Sequence, residues 1–229
     1  MIYTAPQADR RLPSPQASLG RPLAAPSRLA LGLPLALGLA CALMAWRMGP
    51  ALQLRLAAAA PPAEPRAPSV PTVFTPEVRR WERAIVTWSA QYALPAALIA
   101  TVMQIESCGD ARAVSGAGAQ GLFQVMPFHF KPGEDPGDPQ TNARRGLAYL
   151  ARALELSEGR VDLALAGYNG GLSRISQAPD AWPAETQRYV AWGSGIFADV
   201  TEGRSGSPAL QAWLEAGGAR LCRAAAQHS

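Results

Sequence analysis

Glu106 is the residue of this sequence best placed for acid–base chemistry, because it follows the apolar run LIATVMQI. A carboxyl group at the end of a buried helix is pushed towards its neutral form, since burial and the negative helix C-terminus both raise its pKa. A carboxylic acid that stays partly protonated near neutral pH can donate a proton to a leaving group. The alternative is an ordinary exposed glutamate at a helix end. Glu106 is therefore a candidate general acid.

Three segments after Glu106 carry polar side chains, and two of them are also rich in glycine. Residues 115–121 read SGAGAQG, a run that cannot fill a core but can let the backbone approach a ligand closely. This run has neither the preceding strand nor the Lys-Ser/Thr ending of a phosphate-binding loop. Residues 168–171 read YNGG, and Glu185 and Tyr189 are four residues apart, which places them on one face of a helix. Each segment alone is more often a cap, a turn or a packing aromatic.

Together and in this order, the motifs resemble those of the lytic transglycosylases of the soluble (SLT) type, which have a goose-lysozyme-like catalytic domain. The resemblance covers about residues 77–200. It has three departures: Phe123 replaces the usual Met, Gly167 replaces the usual Ala, and residues 128–131 replace a Thr-containing segment. The matching residues are Glu106-Ser107, Ala113-Val114-Ser115, Gly118-Ala119-Gln120-Gly121-Leu122-Phe123-Gln124, Pro127, Asn142, Gly146, Tyr149-Leu150, Tyr168-Asn169-Gly170-Gly171, Glu185-Thr186 and Tyr189-Val190.

The resemblance implies cleavage of the β-1,4 bond between N-acetylmuramic acid and N-acetylglucosamine in peptidoglycan. Glu106 would protonate the bridging oxygen and then, as a carboxylate, accept the proton of the C6 hydroxyl of the muramic sugar. That hydroxyl attacks C1 and leaves a 1,6-anhydro end. One carboxyl group suffices because the attack is intramolecular, whereas common glycosidases need a pair of carboxylates. The resemblance implies no cofactor.

The resemblance also assigns roles, by position, to residues around the glutamate. Tyr168 is expected to hydrogen-bond Glu106, Asn169 to shape the cleft floor, and Glu185 to position the reacting sugar or the catalytic group. Tyr189 is expected to pack nearby or to bind. The full set of expected substrate-binding residues, of which the first three would line the sugar subsites, is Ser115, Gln124, Met126, Tyr168, Asn169, Glu185 and Tyr189.

Other functions and another carboxylate remain open from the sequence. A muramidase of the same fold would add water across the bond and would need a group holding that water opposite Glu106. A non-catalytic wall-binding protein could also keep the fold, although retention of Glu106, Tyr168 and Glu185 speaks against it. Asp110 could lie one turn beyond Glu106, but Gly109 makes a continued helix doubtful, and the family pattern has no counterpart of Asp110.

The remaining reactive and aromatic residues predict no metal site. His129 and His228 are the only histidines, and no metal-ligand set can be assembled around them. Cys108 and Cys222 could form a disulfide in an oxidising compartment or stay as two thiols, and the sequence leaves both open. Tryptophans at 81, 88, 182 and 192 could stack on sugars, but the helical spacing makes the first two core residues.

Composition divides the chain of 229 residues into a basic N-terminal part and a balanced C-terminal part. Residues 1–76 contain seven Arg, two acids and 13 of the 21 prolines, whereas residues 77–229 carry 14 basic and 15 acidic residues. The C-terminal part therefore offers no electrostatic case for binding nucleic acid. We predict a disordered basic tail at 1–28, a membrane segment (anchor or signal) at 29–46, a Pro/Ala-rich linker at 47–76, the lysozyme-like domain at 77–200 and a C-terminal tail that could contain a short helix at 201–229.

The membrane prediction depends on residues 29–46, eighteen residues without a charge that end at Arg47. As a helix this segment is about 27 Å long, enough to cross a hydrocarbon core. We favour an uncleaved anchor over a cleaved signal, because the run is long and starts late for a signal peptide. Arginines before it would hold the N-terminus in the cytoplasm and place the catalytic domain outside. Cleavage and secretion is the alternative, and the oligomeric state is left open.

Apolar periodicity predicts an all-α domain. Residues 78, 81, 85, 88 and 92 form one apolar stripe, and a mostly apolar central helix follows Pro95. Further helices are expected at 139–157, with Asp138 as the N-cap, and then at about 161–169 and 183–198. We find no convincing period-two pattern that would indicate a strand.

Overall fold

The computed structural model describes residues 69–228, and within them the backbone is helical without a β-strand. The prediction of an all-α domain is therefore confirmed for this part of the chain. Short 3-10 turns connect several of the helices. The α-helices of residues 69–228 are α1 (Pro76–Arg79), α2 (Glu82–Tyr92), α3 (Ala96–Ser107), α4 (Pro139–Leu156), α5 (Val161–Gly170), α6 (Ala184–Thr201), α7 (Pro208–Trp213) and α8 (Ala219–Gln227).

Helix α3 lies in the core because most of its side chains are apolar. Leu98, Ile99, Val102 and Met103 are fully buried, and the helix contacts α1, α2, α6 and α8. Burying side chains of this size stabilises the fold by about 1.5–3 kcal/mol each. The position of the last turn of α3, which carries Glu106, is therefore set by packing on several sides.

Helices α4, α5 and α6 confirm the predictions for 139–157, 161–169 and 183–198, with ends that differ by at most three residues. Asp138 is the N-cap of α4, as expected, since its carboxylate accepts a hydrogen bond from the backbone N–H of Thr141 at 2.8 Å. Pro139 occupies the first turn, where its missing N–H costs no intrahelical bond. These boundaries were predictable because caps and prolines act locally.

The first apolar stripe is divided between two helices rather than carried by one. Helix α1 ends at Arg79 and α2 begins at Glu82. At this break Nη2 of Arg80 and Nε1 of Trp81 both donate to the carbonyl of Gly109, at 2.8 and 2.9 Å. These bonds link residues far apart in the sequence, so the periodicity could not show the break.

The C-terminal segment is more ordered than the predicted tail. Helices α7 and α8 flank a π-helical turn at Leu214–Gly218, and α8 contacts α1 and α3. Leu210, Trp213, Cys222 and Ala225 are buried. The tail prediction therefore underestimated this segment, because its apolar residues find their partners only in the folded domain.

The predicted basic tail, membrane segment and most of the linker lie outside the described residues. Among the helices of residues 69–228, none is both long and apolar enough to span a membrane. The predicted anchor at 29–46 therefore stays a prediction.

Candidate active site

Glu106 lies in the last turn of α3, and its half-buried side chain lines a cavity of about 270 Å³. Helix α3 ends just after it, at Ser107, and the next residue, Cys108, adopts a left-handed conformation with φ of 51°. This turn carries the chain away from the cleft and leaves the carboxyl group at its wall. The cavity is lined by Ile105, Glu106, Ala113, Val114, Ser115, Ala119, Gln124, Asn169, Glu185, Tyr189 and Leu221.

The environment of Glu106 favours its protonated form. Burial raises the pKa of its carboxyl group, and the nearby Glu185 carboxylate raises it further, whereas the hydrogen bond from Tyr189 lowers it. The two raising effects disfavour negative charge, and the lowering effect stabilises the carboxylate once it forms. A group with these opposed influences can give up a proton and later take one back.

Tyr189 is the hydrogen-bond partner of Glu106, and the prediction that Tyr168 plays this part is wrong. The Tyr189 hydroxyl donates to Oε1 of Glu106 at 2.8 Å. Burial and the Glu106 carboxylate hold the pKa of Tyr189 well above its usual value, so the phenol remains a donor. Tyr168 is 1% exposed and its hydroxyl donates to the carbonyl of Phe123 at 2.7 Å. The motif tyrosine, which lies in α5, therefore bonds the backbone of the chain at Phe123 instead of the Glu106 carboxyl group.

Residues 113–126, which we call the cleft loop, contribute five of the residues that line the cavity. The loop is folded on itself by isolated backbone bridges between Val114 and Gln120 and between Gln120 and Val125. The Ser115 hydroxyl accepts from the backbone N–H of Ala119 at 3.0 Å, which closes the Gly-rich tip. The loop thus has a defined shape without belonging to a helix or sheet.

Three buried side chains hold the cleft loop against the core. The Ser107 hydroxyl donates to the carbonyl of Leu122 at 2.8 Å, and Tyr168 donates to the next carbonyl, that of Phe123. Asn142 is fully buried; its Oδ1 accepts from the Phe123 N–H at 2.9 Å, and its Nδ2 donates to the Gln120 carbonyl at 2.7 Å. The Glu-Ser, Asn and Tyr motifs therefore converge on one stretch of loop backbone.

Two glycines allow this close approach. Gly121 has φ of 74°, and a Cβ at this position would overlap Nδ2 of Asn142. A Cβ on Gly146 of α4 would lie 2.6 Å from Cβ of Phe123. Both glycines belong to the family pattern. At each one, the backbone of the cleft loop or of α4 lies directly against a side chain of the other, which leaves no room for a methyl group.

The structure brings together most of the predicted substrate-binding residues. Ser115, Gln124, Asn169, Glu185 and Tyr189 line the same cavity as Glu106. Tyr168 and Met126 are not among the residues that line it. For Tyr168 the reason is burial behind the loop, and Met126 leads from the cleft loop into a 3-10 turn at Pro127–His129.

Gln124 and Asn169 are largely buried, so only part of each side chain can face a ligand. Nε2 of Gln124 donates to the carbonyls of Ala113 and Gly121, at 3.2 and 3.0 Å. Oδ1 of Asn169 accepts from the Thr186 hydroxyl at 2.8 Å, which ties the end of α5 to the start of α6. Both residues help to fix the cleft as well as to line it.

Asp110 lies outside the cleft. Its carboxylate accepts from the Arg112 backbone N–H, and Oδ2 lies 2.9 Å from Nδ1 of His228. Asp110 thus contacts the C-terminal segment rather than serving as a second carboxylate beside Glu106.

A disulfide joins Cys108 to Cys222, with Cα atoms 5.0 Å apart, which resolves the choice that the sequence left open.

One group of potential metal ligands occurs among the described residues, namely Glu77 with Cys108 and Cys222. Both sulfur atoms belong to the disulfide, so they are not thiolates and cannot act as the ligands that zinc sites use. The group therefore gives no reason to place a metal at the turn after Glu106.

Sequence reasoning missed the contributions of Leu221 and Asn142. Leu221 reaches the cavity from α8, outside the motifs, and no sequence signal marks it. Asn142 belongs to the family pattern, and a polar residue in the apolar stripe of a helix was the available signal for a buried structural role.

Comparison with known proteins identifies the domain. Residues 83–188 match the family described as Transglycosylase SLT domain. A protein of Enterobacteria phage PRD1 named Transglycosylase is 38% identical over 112 residues, which make up 48% of this chain and 40% of that protein. An X-ray structure of an inactive mutant of the lytic transglycosylase Slt from Pseudomonas aeruginosa has a TM-score of 0.43 and 26% identity, and the match covers 54% of this chain and 25% of that one. The chain thus spans less than half the length of both relatives, and its residues 83–188 match the transglycosylase SLT domain family.

Proposed function

We propose that the protein is a peptidoglycan lytic transglycosylase that cleaves the β-1,4 bond between N-acetylmuramic acid and N-acetylglucosamine. The observation that carries the proposal is the half-buried Glu106, whose raised pKa and hydrogen bond to Tyr189 occur at the wall of a cleft. The SLT domain family and the transglycosylase name of the phage relative support the same reaction class.

In the first half of the reaction Glu106 acts as the general acid. Its proton passes to the bridging oxygen as the bond between that oxygen and C1 of the muramic sugar breaks. The N-acetylglucosamine side leaves with a new hydroxyl group, and positive charge develops at C1. Burial and Glu185 supply the raised pKa of Glu106 that keeps the proton available for this step.

In the second half the Glu106 carboxylate acts as the general base. It accepts the proton of the C6 hydroxyl of the same muramic sugar, whose oxygen forms a bond to C1 and closes the 1,6-anhydro ring. The acid is then restored without a water molecule being consumed. The Tyr189 hydroxyl, already a donor to Oε1, stabilises the carboxylate between the two steps.

Substitution of Glu106 by glutamine tests the assignment. Glu106→Gln keeps an acceptor for Tyr189 but has no proton to donate, so digestion of purified peptidoglycan should fall by about a hundredfold or more. Glu155→Gln is the matched control, since Glu155 is an exposed residue of α4 outside the cleft, and it should digest at the parental rate. Equal digestion by Glu106→Gln and the parent would remove the proposal.

A hydrolytic muramidase is the second candidate, because Glu185 places another carboxyl group on the same cavity. In that reaction water, held by a second group, would attack C1 and leave a reducing end. Mass analysis of the digestion products separates the two reactions, since an anhydro end is lighter by one water and resists borohydride reduction. Anhydro products support the lytic transglycosylase, and reducible ends support the muramidase.

We also infer that the domain acts outside the cytoplasm, at the cell envelope. The Cys108–Cys222 disulfide supports this location, because structural disulfides persist in oxidising compartments. The charge-free segment at 29–46 supports attachment to the membrane as an uncleaved anchor. Cell fractionation combined with the mass of the full chain tests both parts: a cytoplasmic protein would contradict the location, and a chain shortened near residue 60 would contradict the anchor.

A further inference from the structure

Residues 207–228, which we call the C-terminal arm, extend beyond residues 83–188, the part that matches the SLT domain family. The arm begins at Ser207, whose hydroxyl donates to Oδ2 of Asp199 in α6 at 2.8 Å. Its helix α7 packs closely on α6, since a Cβ on Gly195 would lie 2.8 Å from Cβ of Ala209. The arm is therefore part of the folded domain.

Two contacts attach the end of the arm to the turn that follows Glu106. Cys222 of α8 forms the disulfide with Cys108, and His228 contacts the carboxylate of Asp110. The attachment points are thus two and four residues after the catalytic glutamate. Helix α8 consequently has a fixed position beside the cleft.

Leu221 projects from α8 into the cleft, and it is 37% exposed. Large apolar side chains with such exposure are rare in residues 69–228, and a second one, Val114 of the cleft loop, lines the same cavity. The others, Phe128 and Leu156, do not line it. An exposed apolar patch next to convergent polar groups is typical of a ligand-binding surface.

We infer that Leu221 is a substrate-contacting residue, and that it forms with Val114 an apolar wall of the glycan cleft. The inference rests on the proposed function. Its ligand is an N-acetylated sugar of the glycan strand, which presents C–H groups on its ring faces and a methyl group on its acetamido substituent. Those apolar groups would contact Leu221 and Val114, while the ring hydroxyls would face the polar side chains of the cleft.

The distribution of side chains in the cavity fits such a ligand. Glu106, Glu185 and Tyr189 supply the polar groups, whereas Val114 and Leu221 supply the apolar ones. A sugar oriented between these groups would present its glycosidic oxygen to Glu106. Its apolar C–H and methyl groups would then be covered by Val114 and Leu221 instead of being exposed to water. The arm would thereby add a contact that the family motifs themselves do not contain.

Binding of an N-acetylglucosamine pentamer to the silent Glu106→Gln protein, measured by calorimetry, tests the inference. Leu221→Ala in that background should raise Kd about fourfold, which corresponds to about 0.8 kcal/mol, the value of one buried methylene group. Leu221→Met retains an apolar side chain and should restore binding to within twofold. Leu156→Ala removes an equally exposed leucine of α4 away from the cleft and should leave Kd unchanged.

Kinetics with the intact catalytic glutamate separates contact from a structural effect. With soluble glycan strands as substrate, Leu221→Ala should raise KM about fourfold at unchanged kcat, because lost ground-state and transition-state contacts are equal. A fall in kcat with unchanged KM would show that Leu221 merely positions Glu106 and would overturn the inference. So would equal Kd values for Leu221→Ala and Leu156→Ala.

The two proposals fail in different ways. A parent protein that digests peptidoglycan to anhydro products, combined with unchanged sugar binding by Leu221→Ala, overturns only the role of Leu221. A parent protein that releases no anhydro products overturns the proposed function, whatever the binding data show. Failure of the Glu106→Gln protein to bind the pentamer at all would also overturn the role of Leu221.

Discussion

Replacement of Asn142 by alanine should loosen the cleft loop and lower both stability and activity. The fully buried Asn142 side chain makes three hydrogen bonds to backbone groups, one from the Phe123 N–H at 2.9 Å and two to the Gln120 and Pro136 carbonyls at 2.7 and 3.0 Å. Alanine removes all three, and no water-accessible side of the residue remains to replace them. The loop would then lose the contact that fixes its position on α4.

The expected cost follows from the number of bonds. Each hydrogen bond contributes about 1 kcal/mol net, so Asn142→Ala should lower the free energy of unfolding by about 3 kcal/mol. For a domain of this size, 1 kcal/mol shifts Tm by about 2–4 °C, and the expected decrease in Tm is therefore about 6–12 °C. Activity should fall even below the transition, because Ser115 and Gln124 are carried by the same loop.

Thermal unfolding of the parent, Asn142→Ala and Asn142→Asp gives the measurement. Asn142→Asp keeps the acceptor for Phe123 but turns an oxygen towards two carbonyls, so it should be at least as destabilising as alanine at neutral pH. Protonation at low pH restores a donor, and part of the lost stability should return. Thr141→Ala, the neighbouring change on α4, serves as the control. The reasoning would be refuted if Asn142→Ala lowered Tm by less than about 2 °C, or if Asn142→Asp were as stable as the parent.

Three further predictions concern Glu106 and the cleft loop. Tyr189→Phe removes the 2.8 Å hydrogen bond to Glu106, so kcat should fall about tenfold to a hundredfold. Because that bond lowers the pKa of Glu106, its loss should move the alkaline limb of the pH–rate profile to higher pH. An unchanged profile would contradict this prediction. Because the pKa of Glu106 is raised by folding, its contribution to stability is present below the pKa of a free glutamate and is lost as pH rises through the folded pKa. Glu106→Gln should therefore have a higher Tm than the parent at pH 8 and a similar Tm at pH 4, and a lower Tm at pH 8 would disprove the burial argument. Gly146→Ala should lower the free energy of unfolding by about 1–3 kcal/mol because its methyl group meets Phe123, whereas Gly116→Ala has no neighbour within 4 Å and should have little effect on unfolding.

Several features of the fold could be predicted because they depend on interactions between near neighbours in the chain. Asp138 and Pro139 define the start of α4 through a cap and a fixed backbone angle. The apolar run before Glu106 requires a buried helix, since no amphipathic face is available to leave in water. The resemblance to the SLT family was predictable from the motifs in their order, and the domain comparison confirms it.

Other features depend on contacts between distant segments and could not be read from local pattern. The sequence placed both Tyr168 and Tyr189 near Glu106, but only packing of α6 against α3 decides that Tyr189 reaches the carboxylate. Tyr168 instead bonds the backbone of the cleft loop, because α5, the helix that carries Tyr168, lies behind that loop.

The amino-acid sequence by itself determined the helical class, the chain position of the acid and the set of motif residues, since these follow from apolar periodicity, helix caps and residue type. Only the tertiary structure decided which motif residues face the cavity and that Asn142, Ser107 and Tyr168 hold the cleft loop. It also decided that Leu221 of the C-terminal arm, which the disulfide attaches beside the cleft, lines the same cavity. The physical reason is that hydrogen bonds and packing between distant segments depend on three-dimensional distances, and a one-dimensional pattern does not contain these.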